Sequence, residues 1–302
     1  MKRAKAFCPG HITAFFEICT EDPDPLKKGS RGAGVSISRG VVTIVELRES
    51  DRTTVNVYIN GEVSDAPVSK TAALKILNLV DDKYDVRIFH ELEIPVGAGF
   101  GASGAGAFST AIAISMALNL PLTLTKIAQI AHISEIECMT GLGDVIAQFH
   151  GGVEIRTKAG APGVGEVQKI LVDPDVRVVC ASSGVIETKK ILADPGKRKK
   201  INMIGRSFIE QIIKTPTITR LMELGRMFSV KTGLASLKVL KILKEFENVG
   251  IGGASMVMLG ESIFCFAWKE DAQMIAESFK KFMPDAWVSV AEIDFCGARP
   301  IW

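Results

Sequence analysis

No charge of either sign dominates this chain. Lys and Arg number 36 and Asp and Glu 34 over 302 residues, a formal net charge of +2. That excludes the strong field by which proteins gather nucleic acid or an anionic membrane surface. Lys197-Arg198-Lys199-Lys200 is the one basic run. After Asp194-Pro195-Gly196 it reads as a solvated helix start or loop. Histidine is scarce, at 4, and the 6 cysteines at positions 8, 19, 138, 180, 265 and 296 form no C-x-x-C pair. A zinc site has little to draw on. Most of the thiols sit beside apolar neighbours, as in Val179-Cys180-Ala181, and read as buried and reduced, which suits a cytoplasmic protein. Met1-Lys2-Arg3-Ala4-Lys5 is basic, but Pro9, Gly10, His11 and Glu17 follow instead of a signal-peptide core.

Charge is missing altogether from Ile94 to Thr125. A membrane span is the first reading to test, and it fails: glycines crowd the first half, Asn119 and Pro121 interrupt the second, and no basic loop flanks it. A helix buried on all sides is the better reading. With 47% hydrophobic and 23% charged residues the composition is that of a globular protein.

Strands are expected at Ala4–Cys8, Val41–Leu47, Thr54–Ile59 (ending at the turn signal Asn60-Gly61), Asp85–Ile94 and Gly151–Thr157. Glu21–Arg31 reads as a loop. Helices are expected at Val68–Leu79, Ala105–Leu118 and Thr125–Met139, the last capped by Thr123 or Thr125. Gly160-Ala161-Pro162-Gly163-Val164-Gly165 is the best linker candidate. It divides the chain into 1–162 and 163–302. Beyond it, strands are expected at Val176–Ala181, Ser255–Leu259, Ser262–Trp268 and Ala286–Phe295. Helices are expected at Ile201–Ile213, Arg220–Val230, Ser236–Glu247 and Asp271–Phe282. Strands and helices mix in both halves without strict alternation, which favours an α+β fold over a doubly wound sheet.

The stretch from Ile94 through Pro95, Gly97, Gly99, Phe100, Gly101, Ala102, Ser103 and Gly104 to Ser109 carries the most information. Glycines let backbone N–H groups approach a ligand with no Cβ in the way. A helix starting after them aims its unpaired N–H groups and positive dipole end at that ligand. The natural occupant is a nucleotide phosphate. Gly99-Phe100-Gly101-Ala102-Ser103-Gly104 matches G-x-G-x-x-G, but no acidic residue stands about 20 residues on to hold a ribose. The lysine of a P-loop is absent too, its place taken by Ala105. A close-packing Gly/Ala helix start, with no ligand, is the remaining alternative.

These residues resemble the GHMP kinases. Pro95-x-x-x-Gly99-Phe100-Gly101-Ala102-Ser103-Gly104-Ala105 is similar to the family's P-x-x-x-G-L-G-S-S-A-A phosphate loop. Cys8-Pro9-Gly10-His11 through Glu17 resembles its P-G-K/R-V-x-L-x-G-E segment. Thr140-Gly141-Leu142-Gly143-Asp144, followed by Gly151-Gly152, resembles S-G-x-D…G-G. Gly250-Ile251-Gly252-Gly253-Ala254-Ser255 resembles the C-terminal glycine-rich loop. The four occur in family order over nearly the whole chain. The resemblance implies a lobe like domain 2 of ribosomal protein S5, then a ferredoxin-like lobe, with the active site between them. It also implies ATP and Mg²⁺ as cofactors, a small-molecule acceptor and a homodimer, with no nucleic-acid or membrane partner.

The resemblance makes Asp144 the group facing the acceptor hydroxyl, and Ser103 and Glu135 the metal ligands. A helical Glu otherwise faces solvent, Glu137 competes for the role, and Ser103 or Asp144 can simply cap a helix. His11 stands where Lys or Arg is common and Ile18 where a His follows, which argues against mevalonate and galactose. The Cys8–Phe16 segment, Gly29-Ser30-Arg31-Gly32-Ala33-Gly34 and Thr140–Asp144 resemble an archaeal branch that phosphorylates pantoate. That acceptor carries a carboxylate, so its site needs a fixed cation. Arg31 and Arg156 are candidates, with Ser30 and His132 as further substrate contacts. His132 can equally be a core histidine. Homoserine or a mevalonate-like alcohol is the alternative acceptor. A ligand sensor without turnover is the alternative from another class.

Overall fold

The computed structural model of the protein describes residues 1–185 and 194–302. Two antiparallel strands of unusual length open the chain, β1 (Lys2–Cys19) and β2 (Gly29–Glu49). They pair along their whole length, with register shifts at Pro9/Gly10 and Thr13/Phe15. The shifts let β1 continue past Pro9, which cannot donate to a ladder. Gly29–Arg31, read from the sequence as the end of a loop, is therefore strand. The strands pass so closely that a Cβ at Gly32 would lie 2.3 Å from the Phe15 carbonyl oxygen.

The turn at Asn60-Gly61, both residues in the left-handed region, joins β3 (Thr54–Ile59) to β4 (Glu62–Ser64), as Asn-Gly predicts. Helix α1 (Pro67–Leu77) then crosses to β5 (Tyr84–Leu92), which runs parallel to β3. Helices α2 (Ala102–Ala117), α3 (Leu124–Cys138) and α4 (Asp144–His150) follow. The uncharged helix is α2. It is buried continuously from Gly104 to Ser115, packed on β1 and β2 and flanked by α1, α3 and α4. Thr123 caps α3, its side chain accepting from Lys126 N.

β6 (Val153–Lys158) pairs with β2 and with β7 (Glu166–Ile170). This corrects one expectation. Gly160–Gly165 is the loop of the β6–β7 hairpin, and the first sheet runs on to Ile170. Glycine-rich composition marks a tight turn as readily as a linker.

A second, four-stranded sheet has the order β11-β8-β10-β9. Its strands are β8 (Val176–Val185), β9 (Ser255–Met256), β10 (Gly260–Trp268) and β11 (Trp287–Glu292). β9 stops short of the expected Leu259 because residues 257–260 form a tight turn with Leu259 in the left-handed region. Helices α5 (Pro195–Lys214) and α6 (Ile218–Thr232) pack on β1 through Phe208 and Phe228, whose rings meet Phe15 and Phe16. The basic run opens α5, behind the N-cap Asp194, largely exposed. Helices α7 (Leu237–Asn248) and α8 (Ala272–Phe282) lie against the second sheet. β12 (Arg299–Pro300) returns to pair with β1. Two sheets with mixed helices make an α+β fold. Among the described residues no helix is long and apolar enough to cross a membrane.

Candidate active site

A cleft of about 630 Å³ opens between the start of α2, the inner ends of β1 and β2, and the 257–260 turn. One wall is the phosphate-loop candidate. Gly97, Gly99 and Gly101 all take positive φ, and Gly101 is the N-cap residue of α2. The loop is held from three sides. Ser262 Oγ donates to the Ala98 carbonyl at 2.9 Å, Gln148 Nε2 to the Gly101 carbonyl at 2.9 Å, and His11 N to the Phe100 carbonyl at 3.0 Å. The Phe100 ring is buried edge-on against Trp287 of β11, centroids 5.3 Å apart. Gly97, Gly99, Phe100, Gly101, Ala102 and Ser103 line the cleft. Pro95 begins the loop outside it, and Gly104 lies beneath, against Glu135.

Glu135 projects from α3 to the start of α2. Ser103 Oγ donates to its Oε1 at 2.6 Å and Thr140 Oγ1 to the same oxygen at 3.1 Å. A Cβ at Gly141 would stand 2.2 Å from Oε2, and one at Gly104 2.9 Å from it. Only glycine leaves room for the carboxylate at Gly141. Burial, then the nearby charge of Asp144, push the Glu135 carboxyl up to about 8, although the Ser103 and Thr140 hydrogen bonds oppose this. A buried carboxyl whose charge is this poorly compensated is where a divalent cation fits. Glu137 points away and pairs with Lys75 at 2.8 Å on the surface.

Asp144 opens α4 and lines the cleft. His11 Nδ1 lies 2.8 Å from its Oδ1, and His11 Nε2 lies 3.1 Å from Glu154 Oε1. Arg156 Nη1 donates to that same Glu154 oxygen, and Nη2 reaches Thr13 Oγ1 at 3.3 Å. His11, Glu154 and Arg156 are all essentially fully buried. Arg156 Nε is buried with no partner, and Ser30 Oγ lies on the same side, both facing the α-carbon of Gly143.

Of the residues singled out from sequence, the structure gathers Ser30, Ser103 and Asp144 at one cleft, with Glu135 just behind Ser103 and Arg156 just behind Ser30. It does not bring Arg31 or His132 there. Arg31 bonds Glu17 at 3.1 Å, a carboxylate that Arg206 of α5 also holds. On strand β2 alternate residues face opposite sides, so Ser30 and Arg31 part company. His132 Nε2 reaches the carbonyls of Lys28 at 3.0 Å and Pro25 at 3.2 Å, which ties the loop between β1 and β2 to α3. Gly250, Gly252 and Gly253 stand in open space away from the cleft, and Met258 and Leu259 reach it instead. Sequence reasoning missed those two, Gln148, Glu154 and the far end of the cleft around Ala66, Pro67, Ser69 and His90. Only the spacing Glu154-x-Arg156, two ionisable residues alternating with Val153 and Ile155, signals any of them.

Residues 68–152 match the family model for the GHMP kinase N-terminal domain. A pantoate kinase from Methanocaldococcus jannaschii is 40% identical over 87% of this chain and 93% of its own length. One from Thermococcus kodakarensis is 36% identical over 89% of each. The chain belongs to the GHMP kinase family and groups with its pantoate kinases. It is an ATP-dependent small-molecule kinase. A solved structure described as a phosphotransferase related to the CoA biosynthesis pathway superposes with a TM-score of 0.88 at 32% identity, covering 99% of this chain and 98% of its own. A homoserine kinase from Cytophaga hutchinsonii shares the fold, at TM-score 0.74 and 16% identity.

Proposed function

We propose that this kinase transfers the γ-phosphoryl group of ATP to the C4 hydroxyl of pantoate. The observation that carries the reading is the cluster at one cleft: a glycine loop at a buried helix start, Ser103 with Glu135, and Asp144, beside a buried arginine with one unpartnered donor. The triphosphate lies along Gly97–Ser103 at the positive end of α2. The base occupies the far end, where Ala66, Pro67 and Val68 supply an apolar slot and Ser69 a hydroxyl.

Ser103 and Glu135 would hold Mg²⁺. Among the described residues no cluster of three or more His, Cys, Asp or Glu could hold a metal ion. Such a cation therefore leans on one carboxylate, a hydroxyl, water and phosphate oxygens, the usual habit of Mg²⁺. When bound, it neutralises charge developing on the phosphates. Asp144 accepts a hydrogen bond from the C4 hydroxyl and orients its oxygen towards the γ-phosphorus. The bond to the leaving oxygen of ADP breaks as the new P–O bond forms, and the hydroxyl proton leaves by way of Asp144. The loose transition state asks mainly for position and electrostatics. Ser30 Oγ and Arg156 Nε face the acceptor's carboxylate end.

Replacing Asp144 by Asn keeps the shape and removes the charge. ADP release with pantoate should fall by about 10²–10⁴-fold, the usual contribution of a positioned acid or base. A variant turning over at the parent rate would overturn the role given to Asp144.

A further inference from the structure

Asp144 does not stand alone. Behind it runs an unbroken file of four ionisable side chains from three elements: Asp144 of α4, His11 of β1, then Glu154 and Arg156 of β6. We propose that His11 is a positioning residue, whose ring, held from behind by Glu154, fixes Asp144 towards the acceptor hydroxyl while Glu154 also fixes Arg156 for the acceptor's anionic end. This rests on the reading above of Asp144 and Arg156.

Geometry comes first. Both ring nitrogens of His11 meet carboxylate oxygens, at 2.8 Å and 3.1 Å, and Nε2 also lies 3.3 Å from Arg156 Nη1; the imidazolium form lets the ring donate to both carboxylates at once. In that form charges alternate along the file, −, +, −, +, and sum to zero, the condition under which three buried ionisable groups behind a half-buried Asp144 are tolerated. Gly34 leaves the ring its room. A Cβ at Gly34 would lie 2.7 Å from His11 Nε2, and the backbone N–H of His11 is tied to the Phe100 carbonyl. One residue thus touches both the phosphate loop, through its backbone, and Asp144, through its ring. With Oδ1 of Asp144 taken by the ring, the second oxygen is left for the acceptor.

The charged groups facing His11 are Asp144, Glu154 and Arg156. Burial disfavours its charged form and Arg156 opposes it, but Glu154 and the hydrogen bonds to both carboxylates outweigh them, so the ring stays protonated above the usual histidine range. Catalysis should accordingly show an alkaline limb that reports loss of the imidazolium.

The test is kcat and KM across pH for His11→Gln, His11→Lys and Glu154→Gln, with Asp144→Asn in the same assay. His11→Gln should lower kcat by about 10–10²-fold, the size expected for a misplaced reacting group, with KM for ATP little changed. His11→Lys restores a cation that can donate to Asp144. It should recover part of kcat and push the alkaline limb towards the lysine range, near about 10. Glu154→Gln is nearly isosteric and removes the charge behind the ring, so its limb should move to lower pH. Folded His11→Gln with parental kcat and pH profile overturns the inference. So does a loss in which kcat, ATP affinity and Tm fall together. If His11→Gln does not fold, an unmoved limb in Glu154→Gln overturns it. Parental His11 variants beside an inactive Asp144→Asn would sink this inference alone. An active Asp144→Asn would sink the role of Asp144 with it.

Discussion

At the scale of single residues, the Glu135 carboxyl sets the terms. It is packed between two glycines with two hydroxyl donors and no cationic side chain, and its carboxyl is raised to about 8. Its folded value lies above its unfolded one, so the folded chain holds a proton that the unfolded chain has already lost. The contribution to stability is complete below the unfolded value of 4.5 and disappears as pH rises through about 8. Ligand-free protein should therefore lose Tm between about pH 5 and pH 8. Glu135→Gln should flatten that loss while abolishing most activity. Parallel Tm curves for the two proteins would contradict this. Glu135 was legible in the sequence because an acid on an apolar helix face needs a reason. Arg31 and His132 lie off the cleft lining for a reason the sequence does not carry. Their partners, Glu17 and the Pro25 and Lys28 carbonyls, come from segments whose approach only the fold decides.

At the scale of elements, the phosphate loop belongs mechanically to both sheets. Phe100 inserts between the loop and Trp287, and Ser262 holds the Ala98 carbonyl. Phe100→Ala should destabilise the protein by about 3–5 kcal/mol, the usual cost of emptying a buried aromatic site. Because the ring also shapes the loop, KM for ATP should rise. Urea unfolding and initial-rate kinetics on one preparation check both, and an unchanged KM would separate the loop from its anchor. Most elements could be read from periodicity and caps: β3, α2 and α3 fall within a few residues of expectation. The long β1–β2 ladder could not. Pro9 and Gly29–Gly34 carry turn chemistry, and only the partner strand converts those residues into bulges and close crossings. The hairpin loop Gly160–Gly165 misled in the same way, because composition does not say whether the flanking segments pair.

At the scale of the whole molecule, two sheets and their helices close around one cleft, and the groups to which phosphoryl transfer is assigned above lie on it or just behind it. Three of the four motifs lead to this cleft before any coordinates, the fourth standing away from it at Gly250–Gly253, whereas the proposed acceptor rests on the file from Asp144 to Arg156, which the order of motifs does not contain. The central claim is that this arrangement serves a small hydroxy acid with a carboxylate. The direct measurement is Mg²⁺-dependent ADP release with ATP and a panel of pantoate, homoserine and mevalonate, with the phosphorylated product identified by NMR. The account predicts turnover with pantoate, phosphate on its C4 oxygen, and little turnover with the other two. Efficient phosphorylation of homoserine or mevalonate with none of pantoate, or nucleotide binding with no ADP release on any acceptor, would contradict it.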